Sequence, residues 1–260
     1  MRLDEMTWKQ AEEYFRGDVL AVLPVGSVEQ HGPLGPLGTD YLIPEELARR
    51  LAKRSDVLVL PAMPYGVCPH HLSFPGTIDI GYEALFAVLE GIAASLMTHG
   101  VRRFLILNGH GGNSPAIERA ALNIYRRGGL SAIIDWWSLA PQLNPAWQGG
   151  HGAGQEASAI MAFRPGLVDK GRLFAGEIRH VSGEMPNIHL NLVRFKGGTV
   201  KIIRDVRDVA AHGAFGGPDD PEMADAAWGT EMLAAVEDYI ADFAAAFKRL
   251  PLPGSGGARC

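Results

Sequence analysis

Short apolar runs alternate with amphipathic segments along the first half of the chain. The apolar runs are residues 19–25, 57–60, 103–107 and 132–136. Runs of this length are typical of strands covered on both faces. Between them, apolar residues recur at helical spacing, as at Ile43, Leu47 and Leu51. Strands separated by helices favour parallel pairing with right-handed crossovers, so the pattern predicts a single-domain α/β fold, a layered and mostly parallel sheet flanked by helices.

Local signals indicate where several helices begin. Thr7 followed by Gln10 predicts a capping box. The segment 113–115 (Asn-Ser-Pro) predicts another helix start, because Asn or Ser caps a helix and Pro suits its first turn. A long final helix is expected from about Glu222.

The segment 166–221 has weak periodicity, and the glycines at 197–198 and 216–217 predict turns between short strands or loops. The last ten residues, 251–260, are rich in Pro, Gly and Ser, and we expect them to be disordered. Residues 1–250 are therefore predicted to form one domain.

Composition narrows the classes of partner. The chain has 24 Lys and Arg against 29 Asp and Glu, a net charge of −5, and no basic run longer than a pair. This balance argues against nucleic acid and favours a small-molecule substrate. The two cysteines do not form a disulfide framework, no signal segment is recognisable, and the apolar runs are too short for a membrane helix. We therefore expect a cytoplasmic protein without a membrane partner.

Three polar clusters follow predicted strands. They supply a mixed set of imidazoles and carboxylates: Glu29, His31, Asp40, His110, His151 and Glu156. In a parallel sheet, loops at the carboxyl ends of strands converge on one edge. Mixed nitrogen and oxygen donors suit zinc, manganese or iron.

The charges of these side chains fit two divalent ions. Three carboxylates supply −3 against +4, which leaves room for a hydroxide, the nucleophile of a metal-dependent hydrolase. We therefore predict two divalent metal ions (Zn, Mn or Fe) held by Glu29, His31, Asp40, His110 and Glu156. His151 is the candidate catalytic acid or base, although a role as a further ligand or as an ordinary hydrogen-bonded histidine remains open.

Four further side chains are candidates for substrate binding. Trp137 and Trp147 precede the third cluster and are candidates for the wall of a pocket, while His71 and Ser73 lie in a loop that we expect near it. Core packing is the competing interpretation for the tryptophans. His99, His180, His189 and His212 show no ligand spacing and are interpreted as structural. For Glu184, Asn187 and His189, which lie in the weakly periodic segment, an oligomer contact or a substrate lid is as well supported as exposure to solvent.

The clusters together resemble the creatininase (creatinine amidohydrolase) family. The resemblance rests on Pro24–Pro33 with Gly38–Asp40, on Asn108–Asn113 and on His151–Ser158, with Phe74–Thr77 similar to a family loop, and it extends over roughly residues 1–250. It implies that Glu29 and His110 hold one ion, that His31 and Glu156 hold the other, and that Asp40 bridges them. It also implies a homo-oligomer, usually a hexamer.

One departure from the family pattern bears on the substrate. Creatininase proper has a ligating Glu two residues after the histidine of its second motif, and here that place is Gly112. We expect Glu156 to complete the second ion's ligands, and creatinine itself is disfavoured as substrate.

The resemblance implies attack of a metal-activated water on the carbonyl of a small cyclic amide or amide-like substrate. The first alternative is hydrolytic C–C ring opening of a cyclic ketone such as an oxidised inositol, since the loops carry polar residues that suit hydroxyl groups. The second is a non-catalytic metal-binding or nucleotide-binding protein. Residues 108–113 lie between a strand and a helix, where phosphate can bind, but they lack the phosphate-loop lysine.

Overall fold

A four-stranded parallel sheet forms the centre of the computed structural model, which describes residues 1–172, 178–215 and 221–254. Its strands are β1 (Leu20–Val25), β2 (Leu58–Val59), β3 (Arg103–Asn108) and β4 (Leu130–Asp135), in the order β2-β1-β3-β4. Val25 pairs with Asn108, and Asn108 with Asp135, so three strands end level at one edge. The predicted parallel α/β sheet is confirmed.

Eight α-helices surround the sheet in the described part of the chain. They are α1 (Trp8–Tyr14), α2 (Thr39–Arg54), α3 (Tyr82–Thr98), α4 (Ser114–Arg126), α5 (Trp136–Leu143), α6 (Gly154–Met161), α7 (Val206–Val209) and α8 (Ala226–Lys248). A separate antiparallel hairpin consists of β5 (Leu192–Phe195) and β6 (Gly198–Lys201). No described helix combines the length and the apolar character that crossing a bilayer requires.

The sheet separates two hydrophobic cores, because successive side chains of a strand point to opposite faces. Leu20 and Val22 of β1 pack with α2, α5, α6 and α8 on one face. Ala21 and Leu23 pack with α3 and α4 on the other face. Both faces of β1 and β3 are therefore buried, which explains why their sequences are continuous apolar runs rather than alternating ones.

Helix starts agree only in part with the sequence signals. Thr7 and Gln10 form the predicted capping box. The side chain of Asn113 does not cap α4, because it binds the backbone of Val67 and Gly26 instead. The final helix begins at Ala226, where the Asp225 carboxylate accepts hydrogen bonds from the first turn.

The predicted C-terminal end of the fourth strand, at residue 136, is wrong. Strand β4 stops at Asp135, and Trp136 begins helix α5. The apolar residues Trp136, Leu139, Ala140 and Leu143 recur at helical spacing, and this signal outweighs the apolar run at 132–136. Helix α5 packs against β4 and α8.

The weakly periodic segment contains the β5–β6 hairpin and α7. Its turn has Lys196 at φ 44° and Gly197 at φ 82°, the left-handed backbone that a two-residue hairpin loop requires. The predicted turn at 216–217 lies outside the described residues, as do residues 255–260 of the predicted disordered tail.

Candidate metal centre

The predicted metal ligands meet beyond the carboxyl ends of β1 and β3. Glu29 and His31 lie in the loop after β1, Asp40 in the first turn of α2, His110 just after β3, and Glu156 in the first turn of α6. All but His31 line a cavity of about 590 Å³, and His31 is buried behind them. Three segments that are far apart in the sequence therefore contribute polar side chains to one site.

One group of donor atoms consists of Glu29, Asp40 and His110. Nδ1 of His110 lies 3.2 Å from Oε1 of Glu29 and 3.1 Å from Oδ2 of Asp40. One donor atom from each of the three residues lies within 4.8 Å of the others, so a single ion can reach all three.

A second group consists of His31, Asp40 and Glu156. Nε2 of His31 lies 3.0 Å from Oδ1 of Asp40 and 3.6 Å from Oε2 of Glu156. Asp40 thus directs one carboxylate oxygen to each group, which is the arrangement of a carboxylate that bridges two ions. A third possible group combines Glu29, His31 and His151, so the geometry alone leaves His151 open as a ligand.

Backbone carbonyls fix the rings of both histidines. Nδ1 of His31 lies 3.0 Å from the carbonyl oxygen of Glu29, and Nε2 of His110 lies 2.9 Å from that of Val67. A carbonyl only accepts, so these nitrogens carry hydrogen and donate it. The opposite nitrogens, which face the carboxylates, are the ones left to bind metal, as is usual for ligating histidines.

Glu29 is the strongest sign that a cation belongs here. Its side chain is 0% exposed, and neither carboxylate oxygen has a hydrogen-bond partner among the described residues. An unpaired buried charge is costly, and buried charges are normally paired or coordinated to metal. The orphaned oxygens and the lone pairs of the two imidazoles fit a divalent ion.

The electrostatics of the metal-free protein lead to the same conclusion. Burial raises the pKa of Glu29, and it raises the pKa of Glu156 to about 7. Burial opposes a charged His31, yet the carboxylates of Asp40 and Glu156 outweigh it and raise its pKa to about 10. A proton therefore occupies the nitrogen that a metal ion would take.

Two backbone features bring His110 against Asp40. Pro44 has no N–H to donate to the carbonyl of Asp40 in helix α2. Gly109 packs so closely on that carbonyl that a Cβ would overlap it. A Cβ at Gly112 would likewise overlap the carbonyl of Val67, so the local backbone has no room for the side chain found in creatininase proper.

Aromatic rings form the wall above the carboxylates. Nε2 of His71 and Nδ1 of His151 lie 3.6 and 3.7 Å from Oε1 of Glu29. The ring of His151 stacks on Phe215 with centroids 5.0 Å apart, and His189 meets Phe215 edge-on at 5.4 Å. Burial, reinforced by His110 and His31, lowers the pKa of His71 to about 3, and burial lowers the pKa of His151 as well, so both rings are neutral at pH 7.

The structure separates the four predicted substrate contacts. Trp137 and His71 line the cavity. Trp147 and Ser73 are not among the described residues that line it. Trp147 is buried in the core beside α5 and α6, and the hydroxyl of Ser73 donates to Asp205 at 2.6 Å.

Sequence reasoning missed the contribution of the segment after residue 178. His189, Lys201 and Phe215 line the cavity, although His189 was expected to be structural. No ligand spacing marks these residues. The predicted turn at the glycines 197–198 is the nearest sequence signal, and the hairpin that forms there brings Leu192 and Lys201 to the cavity.

The polar cavity lies at the carboxyl edge of a parallel sheet, which is where α/β proteins bind their ligands. The family model described as "Creatininase: Creatinine amidohydrolase" matches residues 4–244. The chain therefore belongs to the creatininase family and is a hydrolase, which confirms the resemblance that its motifs indicated.

Individual relatives differ in activity. Creatinine amidohydrolase of Pseudomonas putida is 33% identical over 192 residues, 65% of this chain and 74% of that protein. The mycofactocin precursor peptide peptidase of Mycobacterium tuberculosis is 34% identical over 228 residues, 84% and 81% of the two chains. The 3-dehydro-scyllo-inosose hydrolase of Thermotoga maritima is 36% identical over 107 residues, 41% of this chain and 34% of that protein.

Solved creatininases share the whole fold. A crystal structure of creatinine amidohydrolase superposes with a TM-score of 0.78 at 26% identity, covering 96% of this chain and 98% of that chain. A creatininase described as a manganese form gives 0.75 at 27% identity, covering 95% and 98%.

Proposed function

We propose that this hydrolase uses two divalent ions to add water across the C–N bond of a small cyclic amide or amide-like substrate. The observation that carries the proposal is the position of Asp40, whose two oxygens face the two separate donor groups. The buried carboxylate of Glu29 supports it, because neither of its oxygens has a hydrogen-bond partner among the described residues and a nearby cation offsets the cost of that burial.

When bound, the ions supply Lewis acidity and lower the pKa of water. Glu29 and His110 would hold one ion, His31 and Glu156 the other, and Asp40 both. Nδ1 of His151 would accept the proton that the attacking water loses and return it to the leaving nitrogen as the C–N bond breaks. Trp137 and His71 would orient the substrate, since both line the cavity.

Zinc, manganese and iron remain the candidate metals. Two imidazoles among three carboxylates suit these borderline cations better than calcium or magnesium. The similarity to a creatininase described as a manganese form supports this choice.

Metal analysis of the purified protein tests the proposal. We expect about two ions per chain in the wild type and at most one in Asp40→Asn, with turnover reduced at least about a thousandfold. The matched control is Asp242→Asn, which changes an exposed carboxylate on α8. We expect this variant to keep the metal content and the turnover of the wild type. Full metal content and activity in Asp40→Asn would exclude the bridging role.

A substrate panel separates the chemistries. Metal-loaded protein is incubated with lactams, formamides, short peptides and cyclic ketones. Ring opening is scored by the mass gain of one water, and cleavage of formamides and peptides by the appearance of the two products. Water addition to amides supports C–N cleavage, whereas a ring-opened ketone alone would favour the C–C alternative. The similarity to the Thermotoga maritima hydrolase is the reason to include cyclic ketones in the panel. The cavity lining gives this alternative little support, because only Gln155 of the six polar loop residues suited to hydroxyl groups lines the cavity in the described structure. The six are Gln30, Thr39, Asn108, Asn113, Gln148 and Gln155.

The geometry disfavours nucleotide binding. His110 of the loop at 108–113 points to Glu29 and Asp40, and the side chain of Asn113 binds Val67 and Gly26. The oligomeric state and the location of the protein remain predictions: a homo-oligomer, by resemblance a hexamer, in the cytoplasm. Light scattering of the protein as it elutes from a size-exclusion column tests the oligomeric state.

A further inference from the structure

Gln30 has a side-chain amide whose orientation is set by two backbone groups. Its Oε1 accepts a hydrogen bond from the N–H of Gly32 at 2.9 Å, and its Nε2 donates to the carbonyl of Gly213 at 3.1 Å. If the oxygen and nitrogen of the amide were exchanged, a donor would face the N–H of Gly32 and an acceptor would face the carbonyl of Gly213. The side chain is buried, and a Cβ on Gly213 would overlap it, so the amide is held in one place.

This amide determines which nitrogen of His71 carries hydrogen. Nε2 of Gln30 lies 2.9 Å from Nδ1 of His71. Because the amide nitrogen donates, Nδ1 must accept, and the hydrogen of the neutral ring is on Nε2. That nitrogen faces Oε1 of Glu29 at 3.6 Å, so His71 presents an N–H donor to the metal centre.

The backbone carbonyl of Gln30 determines which nitrogen of His151 carries hydrogen, and here the nitrogen that faces Glu29 is the one without hydrogen. Nε2 of His151 lies 2.8 Å from this carbonyl oxygen, which only accepts, so Nε2 carries the hydrogen. Nε2 of Gln30 also lies 2.9 Å from the same ring nitrogen, but its two hydrogens point to Gly213 and His71. His151 therefore presents the lone pair of Nδ1, 3.7 Å from Oε1 of Glu29.

We infer that Gln30 is a positioning residue that gives the two histidines complementary roles. His71 donates a hydrogen bond to the substrate's carbonyl oxygen, and His151 accepts the proton of the attacking water. This assignment of roles rests on the proposed function, whereas the two tautomers follow from the contacts of Gln30 alone. The two histidines are thus not interchangeable, although both flank Glu29 at nearly the same distance.

Nitrogen-15 NMR of the zinc-loaded protein labelled at histidine tests the tautomers directly. We expect His71 to show hydrogen on Nε2 and none on Nδ1, and His151 to show hydrogen on Nε2, with signals assigned through His71→Gln and His151→Gln. Hydrogen on Nδ1 of His71 in the wild type would overturn the inference. This readout does not require turnover, so it stands apart from the proposed function.

Gln30→Glu then tests the function of the amide. A carboxylate cannot donate to Nδ1 of His71, so the tautomer of His71 inverts. We expect unchanged zinc content and a kcat lowered by about a hundredfold, with KM changed much less. Gln142→Glu, an exposed glutamine on α5 with the same change of charge, is the control and keeps both constants.

Gln30→Met carries the test if the charged variant does not fold. It removes the donor without adding charge, and the backbone carbonyl at position 30 remains. We expect His71 to lose its single tautomer while His151 keeps its own. Unchanged kcat in a folded variant, or a simultaneous change in both histidines, would contradict the role of the Gln30 amide.

Discussion

Helix α2 carries two buried acidic side chains that are neutralised in different ways. Glu46, 8% exposed, accepts hydrogen bonds from Arg49 and Arg50, each at 2.7 Å. Asp40 is 2% exposed and lies less than two turns earlier, and among the described residues its carboxylate faces Ser27 and two imidazoles. An arginine is always charged, whereas an imidazole is charged only when protonated.

The difference distinguishes a structural carboxylate from a candidate metal ligand. Burial opposes the charge of Glu46, but the two arginines lower its pKa and satisfy its oxygens permanently. The carboxylates of the metal centre have partners that can give up their protons. Metal ions can therefore replace the protons that His31 and His110 hold beside these carboxylates, while nothing needs to be replaced at Glu46.

The largest expected effect is the pH dependence of metal binding. His31, with its pKa raised to about 10, must lose a proton to bind an ion, so affinity should rise about tenfold per pH unit between pH 7 and 9. Competition with a chromogenic chelator measures it. A flat profile would mean that no proton is displaced.

The metal-free protein should show the opposite dependence. The folded pKa of His31 lies above its ordinary value of 6.5, so its contribution to stability is complete below pH 6.5 and is lost as pH rises through about 10. Denaturant unfolding of chelated protein at pH 7 and pH 10 measures this loss, which bound metal should remove.

A pair of charge-removing variants should change stability in opposite directions. Glu46→Gln removes the partner of two arginines and should lower the free energy of unfolding by about 1 kcal/mol, since those arginines are partly exposed. Glu29→Gln removes a buried carboxylate whose oxygens have no hydrogen-bond partner among the described residues, and it should raise the stability of the metal-free protein by about 1 kcal/mol while abolishing binding of one ion. Chemical denaturation with and without chelator compares them, and equal signs would contradict the distinction.

The smallest expected effect separates the two tryptophans. Trp137→Phe should raise KM a few-fold, because Trp137 lines the cavity. Trp147→Phe should leave KM unchanged and lower the melting temperature, because Trp147 is buried in the core. Steady-state kinetics and calorimetry check both, and a raised KM only for Trp147→Phe would reverse their assignment.

The sequence predicted the sheet and the meeting of the ligands for a physical reason. Continuous apolar runs specify buried parallel strands, and parallel strands place their following loops at one edge. Glu29 and His110 follow adjacent strands directly, so their approach is a consequence of the strand order. The grouping of His31 with Glu156 came from family resemblance, because the path from β4 to α6 has no simple pattern.

The walls of the cavity were predicted less well. His189 and Phe215 lie in loops outside the β5–β6 hairpin, and the positions of such loops depend on tertiary contacts rather than on periodicity. Trp147 was assigned to substrate because of its place in the sequence, yet hydrophobic burial directs it into the core. Such side chains are poorly specified by local pattern.

Anomalous diffraction from crystals loaded with zinc or manganese tests the central claim most directly. The account predicts two peaks on either side of the Asp40 carboxylate, one bounded by Glu29 and His110 and the other by His31 and Glu156. A single ion, or an ion held by Glu29, His31 and His151 without Asp40, would contradict it.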